Sequence, residues 1–190
     1  MHTELIDTLA AALNKPLQEN LAVTISEGAI KALFVDQLLR NGYTLIEGGS
    51  AGAKVVSFKD GVLKAHSLTI PKSKLSTGGD IRVLFPKPAS IEIQCRSEIG
   101  YSDALLSKNI LEDVNKVVDG QADVFVLVVD GAIFEHMLGQ RDPRGRKPLN
   151  ADLIPELIAS SKVFNFVTDF GTTRHAIFYT NPSQNGTGAV

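Results

Sequence analysis

A chain of 190 residues, 44% apolar and 21% charged, is long enough for one well-packed domain and too short for two large ones. Its net charge of −2 does not advertise a nucleic-acid or membrane partner, so any basic surface must be local. A lone cysteine, Cys95, excludes an intrachain disulfide and argues against a Cys-based zinc site, and the absence of a signal peptide or bilayer-length apolar run makes the cytoplasm the expected compartment.

Residues 3–14 place Leu5, Ile6, Leu9 and Leu13 at helical spacing, with Pro16 expected to end the helix. A second helix is expected to begin at a Thr24 or Ser26 cap and run to Asn41-Gly42, with Glu27 in its first turn. There a carboxylate is favoured by the helix dipole alone. Residues 43–46 read as a strand, followed by the Gly-rich stretch Glu47–Ala53. That stretch lacks the Gly-Lys-Ser/Thr ending of a phosphate-binding loop and precedes a strand rather than a helix, so a hairpin turn is expected. Residues 54–58 and 62–70 read as strands joined at Asp60-Gly61. A loop then carries Lys72 and Lys74 to Asp80.

The next stretch is the densest in chemistry. Asp80–Phe85 and Ile91–Arg96 both alternate apolar and polar residues, and the Pro-containing link between them reads as the bend of a hairpin. Period-two geometry sets Asp80, Arg82 and Leu84 on one face of the first strand and Glu92, Gln94 and Arg96 on one face of the second. A helix over about 103–118 follows, then the most hydrophobic run in the chain, Ala122–Val129, expected as a strand buried on both faces. That order predicts a right-handed crossover between neighbouring parallel strands.

A short helix near 132–138 leads into a loop with Arg141, Arg144, Arg146 and Lys147, the most concentrated basic patch in the sequence. A helix over 151–161 and strands over 163–168 and 174–180 complete a single α/β domain spanning 1–180, with 181–190 expected to be a flexible tail. Cys95 falls on an inward position and reads as a buried structural thiol. His136 and His175 stand apart from any acid-rich motif and read as structural, and His66-Ser67 carries no hydrolase elbow.

An acid at the mouth of one strand and a second acid on the next suit a divalent cation, because hard ions take oxygen ligands, often one or two carboxylates plus water. At these residues the chain resembles the PD-(D/E)xK nuclease family, whose pattern is an Asp on one strand and an acidic-x-Lys triplet on the adjacent one. The likeness runs from about Thr24 to Val129, just over half the chain. It implies a restriction-endonuclease-like fold, a mixed central sheet flanked by helices, and Mg²⁺- or Mn²⁺-dependent endonucleolytic cleavage of DNA, possibly of restriction type.

In that likeness Asp80 and Glu92 bind metal, Glu27 adds a ligand, and Gln94 stands where the family carries Lys and positions the attacking water. The missing positive charge would have to come from Lys54, Lys72 or Lys74. Lys72, Lys74 and the basic loop Arg141, Arg144, Arg146 and Lys147 would contact DNA phosphates, and the family implies a homodimer. Three other readings stand beside this one. Asp80 caps a turn while Glu92 and Gln94 pair with Arg82 and Arg96 as ordinary sheet decoration. The chain is a catalytically inactive DNA-binding or assembly subunit of the same fold. Or it is a small α/β interaction protein whose polar hairpin face docks a partner.

Overall fold

A computed structural model describes residues 2–19, 26–49, 52–68, 79–96, 103–138, 153–169 and 171–181. Helix α1 (Thr3–Gln18) buries Leu5, Leu9, Leu13 and Leu17 along one stripe, as the apolar spacing predicts. It does not end before Pro16, as expected, but continues through it to Gln18. Pro16 forfeits one helical hydrogen bond, while the extra turn buries Leu17 to 1% exposure. The open carbonyls of that turn are occupied: Arg174 Nη1 donates to Leu17 O at 3.3 Å and the Asp169 N–H donates to Gln18 O at 3.2 Å. Tertiary partners thus outweigh a local stop signal. Helix α2 (Glu27–Arg40) is capped by Ser26, whose Oγ accepts from the Ala29 N–H at 3.2 Å, and it stops at Asn41-Gly42, where Gly42 has φ +79.

Eight strands follow in one sheet: β1 (Thr44–Gly49), β2 (Gly52–Lys59), β3 (Val62–Leu68), β4 (Ile81–Phe85), β5 (Ala89–Arg96), β6 (Val124–Asp130), β7 (Lys162–Val167) and β8 (Thr173–Tyr179). Their spatial order is β3-β2-β1-β4-β5-β6-β8-β7. The Gly-rich stretch turns the chain between antiparallel β1 and β2, and Asp60 (φ 54) with Gly61 (φ 76) makes the next hairpin. Among the described strands only β5 and β6 pair in parallel, joined through helix α3 (Asp103–Val118), the crossover that the sequence order predicts. Two short helices, α4 (Gly131–Met137) and α5 (Leu153–Ala159), complete the described chain. The architecture is a mixed α/β sheet with helices on both sides. None of the described helices is long and apolar enough to cross a membrane.

The alternation read from the sequence sorts side chains onto the two faces. Leu45, Val56, Ile81, Val83, Ile91, Ile93 and Cys95 face α1 and α2 in one core. Phe125, Leu127, Val129, Ile177 and Tyr179 face α3, α4 and α5 in the other. The β6 strand is buried on both sides, which accounts for its uninterrupted apolar sequence. Phe85 departs from its alternation, being 60% exposed. The β1–β4 register shifts between Thr44 and Leu45, so the end of β4 leaves the core repeat.

Candidate functional site

The site lies where the sheet splits. Strands β4 and β5 pair at only three positions, Ile81↔Ile91, Arg82↔Ser90 and Val83↔Ala89, whereas β5 continues along β6 as far as Arg96. Beyond Ile91, the edge of β5 that faces β4 therefore needs other partners for its backbone. Asp80 supplies one: its Oδ2 accepts from the Ile93 N–H at 2.8 Å. Glu92 returns the contact, its Oε1 accepting from the Gly79 N–H at 3.2 Å. Each acid is thus tied to the backbone beside the other; Glu92 meets Lys116 on the α3 side of the sheet, and Asp80 sits in the split, where Lys31 of α2 also approaches it. The segment before β4 comes close enough for this because residue 79 is glycine. It has φ +64, and a Cβ there would lie 2.7 Å from Ile91 O.

Helix α3 completes the cluster. Asn109, Asp113 and Lys116 recur at helical spacing, so they line one stripe above β5. Gln94 Nε2 donates to Asp113 Oδ2 at 2.5 Å and to Asn109 O at 3.2 Å. Both partners are acceptors, which fixes the orientation of the amide. Its Oε1 then points to no partner although it is buried. Lys116 Nζ sits 2.6 Å from Asp113 Oδ1 and 3.2 Å from Glu92 Oε1, bridging the two acids.

Burial is the main cause that pushes the Glu92 carboxyl above its ordinary range; Lys116 pulls it back, and Asp113 and Asp80 push it further up. Burial alone would lower Lys116, but the hydrogen bond and charge of Asp113, with Glu92, override it and hold the ammonium above its usual range. The two partners respond differently because Glu92 is the more deeply buried, with 11% of its side chain exposed against 40% for Lys116.

Glu27 approaches from the other side of the split, at the start of α2. Burial raises its pKa, the Asp80 charge raises it further, and Arg96 and Lys31 oppose the shift. Lys31, one helical turn on, has its Nζ 4.0 Å from Asp80 Oδ1. Glu27, Asp80 and Glu92, named from the sequence, therefore share one electrostatic neighbourhood. Gln94 joins them through Asp113.

Of the three lysines expected to supply the missing charge, only Lys54 falls within the described residues, and it is placed away from the acids. Lys54 lies exposed on β2, and β1 and β4 separate that strand from β5. Among the described residues, Lys116 from α3 bridges Glu92 and Asp113, and Lys31 from α2 stands 4.0 Å from Asp80 Oδ1. The signal for Lys116 in the sequence was the polar stripe Asn109, Asp113 and Lys116 running beside the apolar stripe Ile110, Val114 and Val117 on a crossover helix, which must lie over the strands it connects. Lys72, Lys74, Arg141, Arg144, Arg146 and Lys147 lie outside the described residues. Glu92 and Gln94 turn towards Gly79, Lys116 and Asp113, and Arg96 Nη1 donates to Cys95 O at 2.8 Å.

The remaining candidates are structural. Burial pushes the Cys95 thiol up to about 12, so it is inert as a nucleophile. His175 stacks on Phe134 at 3.9 Å, its Nδ1 lies 2.8 Å from Asn165 Oδ1, and burial lowers its pKa. His66 lies exposed on the edge strand β3, and nothing about the His136 side chain is described. Among the described residues, no set of three or more His, Cys, Asp or Glu side chains is arranged to hold a metal.

No protein-family model, curated protein or solved structure matches the chain.

Proposed function

We propose that the protein is a Mg²⁺- or Mn²⁺-dependent nuclease acting on DNA, with a restriction-endonuclease-like arrangement in which Lys116 supplies the charge that Gln94 cannot. The single observation that carries this reading is the reciprocal anchoring of Asp80 and Glu92 across the split between β4 and β5. Each carboxylate commits one oxygen to a backbone N–H, which fixes its orientation; Glu92 keeps its other oxygen for a ligand, and that of Asp80 faces Lys31 at 4.0 Å.

Two carboxylates from adjacent strands are the donor set that a hard divalent ion takes while keeping several waters. The orphaned, buried Oε1 of Gln94 is a further oxygen acceptor in the same cluster, suited to holding a water. When bound, such an ion polarises a phosphoryl oxygen and lowers the pKa of a water. Glu92 and Asp80 orient the ion's ligands, Gln94 positions a water, and the Lys116 ammonium stabilises the negative charge that develops on phosphate. Glu27, held near Asp80 with a raised pKa, is placed to join the ligand set once deprotonated.

One observation favours a second reading. Lys116 already occupies one oxygen of Glu92 and one of Asp113, as a cation would in a site that has lost its metal. This is the catalytically inactive DNA-binding or assembly subunit. Calorimetric titration with Mg²⁺ and Mn²⁺, run beside cleavage of plasmid DNA, separates the two. The nuclease reading expects metal-dependent heat and cleavage, with Asp80→Ala and Glu92→Ala each abolishing cleavage while the protein stays folded. Cleavage that survives both substitutions would exclude this site.

A further inference from the structure

Lys116 holds two acids at once, and its two contacts are unequal. Its Nζ lies 2.6 Å from Asp113 Oδ1, three residues back on the same helix, and 3.2 Å from Glu92 Oε1 on the neighbouring strand. Neither acid is free to follow the lysine. Asp113 is 8% exposed, and its other oxygen accepts from Gln94 Nε2 at 2.5 Å. That bond is kept although it leaves Gln94 Oε1 buried without a partner. Glu92 is tethered by the Gly79 N–H through the same oxygen that Lys116 touches. The lysine side chain is the movable part. The Lys116 carbonyl accepts from the Gln121 N–H at 2.7 Å and the Ala122 N–H at 3.0 Å, which pins its main chain. Its flexible four-carbon stem is 40% exposed.

We infer that Lys116 competes with the divalent ion for Glu92, and that Asp113 is the positioning residue that takes Lys116 off Glu92 when the ion binds. The inference rests on the nuclease reading and adds what neutralises Glu92 before the metal arrives and where that charge goes afterwards. An ammonium and a divalent ion repel when both crowd one carboxylate. With 11% of the Glu92 side chain exposed, solvent screens that repulsion weakly. Lys116 must therefore give way, and the question is where it goes.

Asp113 answers it. The charge-assisted bond at 2.6 Å is already formed, so release needs only the longer contact to open. The ammonium then stays beside the acids, where its proposed role in stabilising charge on phosphate requires it. Without Asp113, the lysine would keep Glu92 as its partner or turn out to solvent. The coupling is reciprocal: the hold of Lys116 on Glu92 weakens the metal by the factor that the metal weakens that hold.

The test is a double-mutant cycle read by calorimetric titration with Mn²⁺ alone, without DNA, at about pH 8, where carboxyl groups are ionised. Lys116→Met should bind Mn²⁺ about tenfold more tightly than the wild type, within the usual range of coupling between linked sites. Asp113→Asn leaves Lys116 with Glu92 as its remaining acid and should bind about tenfold more weakly. In the Lys116→Met background the same Asp113→Asn change should matter by at most about twofold, since no lysine is left to hold. Lys31→Met controls for loss of any nearby positive charge, its Nζ being 4.0 Å from Asp80 Oδ1. In that background Asp113→Asn should still weaken binding by the full factor.

Equal weakening by Asp113→Asn with and without Lys116 would make Asp113 a charge that acts on the metal directly, and overturns its positioning role. A Lys116→Met protein that binds Mn²⁺ no more tightly than the wild type overturns the competition, and it decides alone if Asp113→Asn fails to fold. In both cases Mn²⁺ heat and cleavage by the wild type leave the nuclease reading standing. A wild type with neither refutes that reading and, with it, this inference.

Discussion

Replacing Lys116 by Met removes the ammonium and keeps most of the stem, so it isolates the charge at the site. At the 3.2 Å separation from Glu92 Oε1, a full Coulomb attraction at an effective dielectric near 20 is about 5 kcal/mol. Lys116 is 40% exposed, so solvent screening cuts this to roughly 1–2 kcal/mol of folding stability, readable as a lower urea midpoint at unchanged slope. The catalytic cost should be larger. A charge aimed at the developing transition state is typically worth about 10²–10³ in rate, and duplex affinity without metal should change little.

A second readout separates catalysis from packing. Lys116 lowers the Glu92 pKa in the native protein, so its loss lets burial push that carboxyl higher. The acid limb of the pH–rate profile should move to higher pH. Gln94→Lys in the Lys116→Met background should restore part of the rate, because it returns an ammonium to a side chain already beside Asp113. Cleavage at the wild-type rate by Lys116→Met, with its acid limb unmoved, would refute the assignment of the charge.

Two further outcomes follow from the same geometry. Gly79→Ala sets a Cβ 2.7 Å from Ile91 O at φ +64, a clash with backbone that cannot swing away. It should cost about 1–3 kcal/mol by thermal melting, reduce cleavage through the Glu92 anchor, and leave the α2 cap intact. Metal affinity should rise with pH through a midpoint above the ordinary Glu value of 4.5, because Glu92 and Glu27 both have raised pKa values and must shed protons to bind. The sign for stability is opposite. The native state holds the Glu92 proton more tightly than the unfolded chain, so the cost of its charge is present above the native pKa and relieved as pH falls through it. A calorimetric affinity flat from pH 5 to 8 would contradict this.

Much of the fold was legible because alternation is a strong signal where one face of a strand is buried. The assignments of Ile81, Val83, Ile91 and Ile93 to the core follow directly from period two. Glu92 lies opposite those residues for the same reason, whereas Asp80 sits in a bend before β4 and meets β5 through its bond to the Ile93 N–H. What failed was long-range. Pro16 reads as a stop because the chain near Leu17 gives no hint that Arg174, far along the sequence, will occupy its carbonyl. Lys116 belongs to an element that follows the hairpin in the chain, so nothing local to Asp80 or Glu92 points to it. The crossover helix reaches the acids only because β5 and β6 are parallel neighbours.

The arrangement is hard to explain as packing for its own sake. Continuing β4 backwards by two residues would satisfy the Ile93 N–H with a carbonyl and bury no carboxylate near Glu92. Instead the charges of Asp113 and Asp80 bear on Glu92, and burial opposes its ionisation. Lys116 is stretched over two of these acids, and Lys31 stands 4.0 Å from the third. Gln94 spends its amide on holding Asp113 and leaves its own oxygen buried without a partner. Apolar side chains in these places would give a more stable sheet. Local rules broken together at one break in an otherwise regular sheet are the pattern of a site kept for its chemistry. On the proposed reading, a divalent ion between Asp80 and Glu92 would turn that local cost into binding energy.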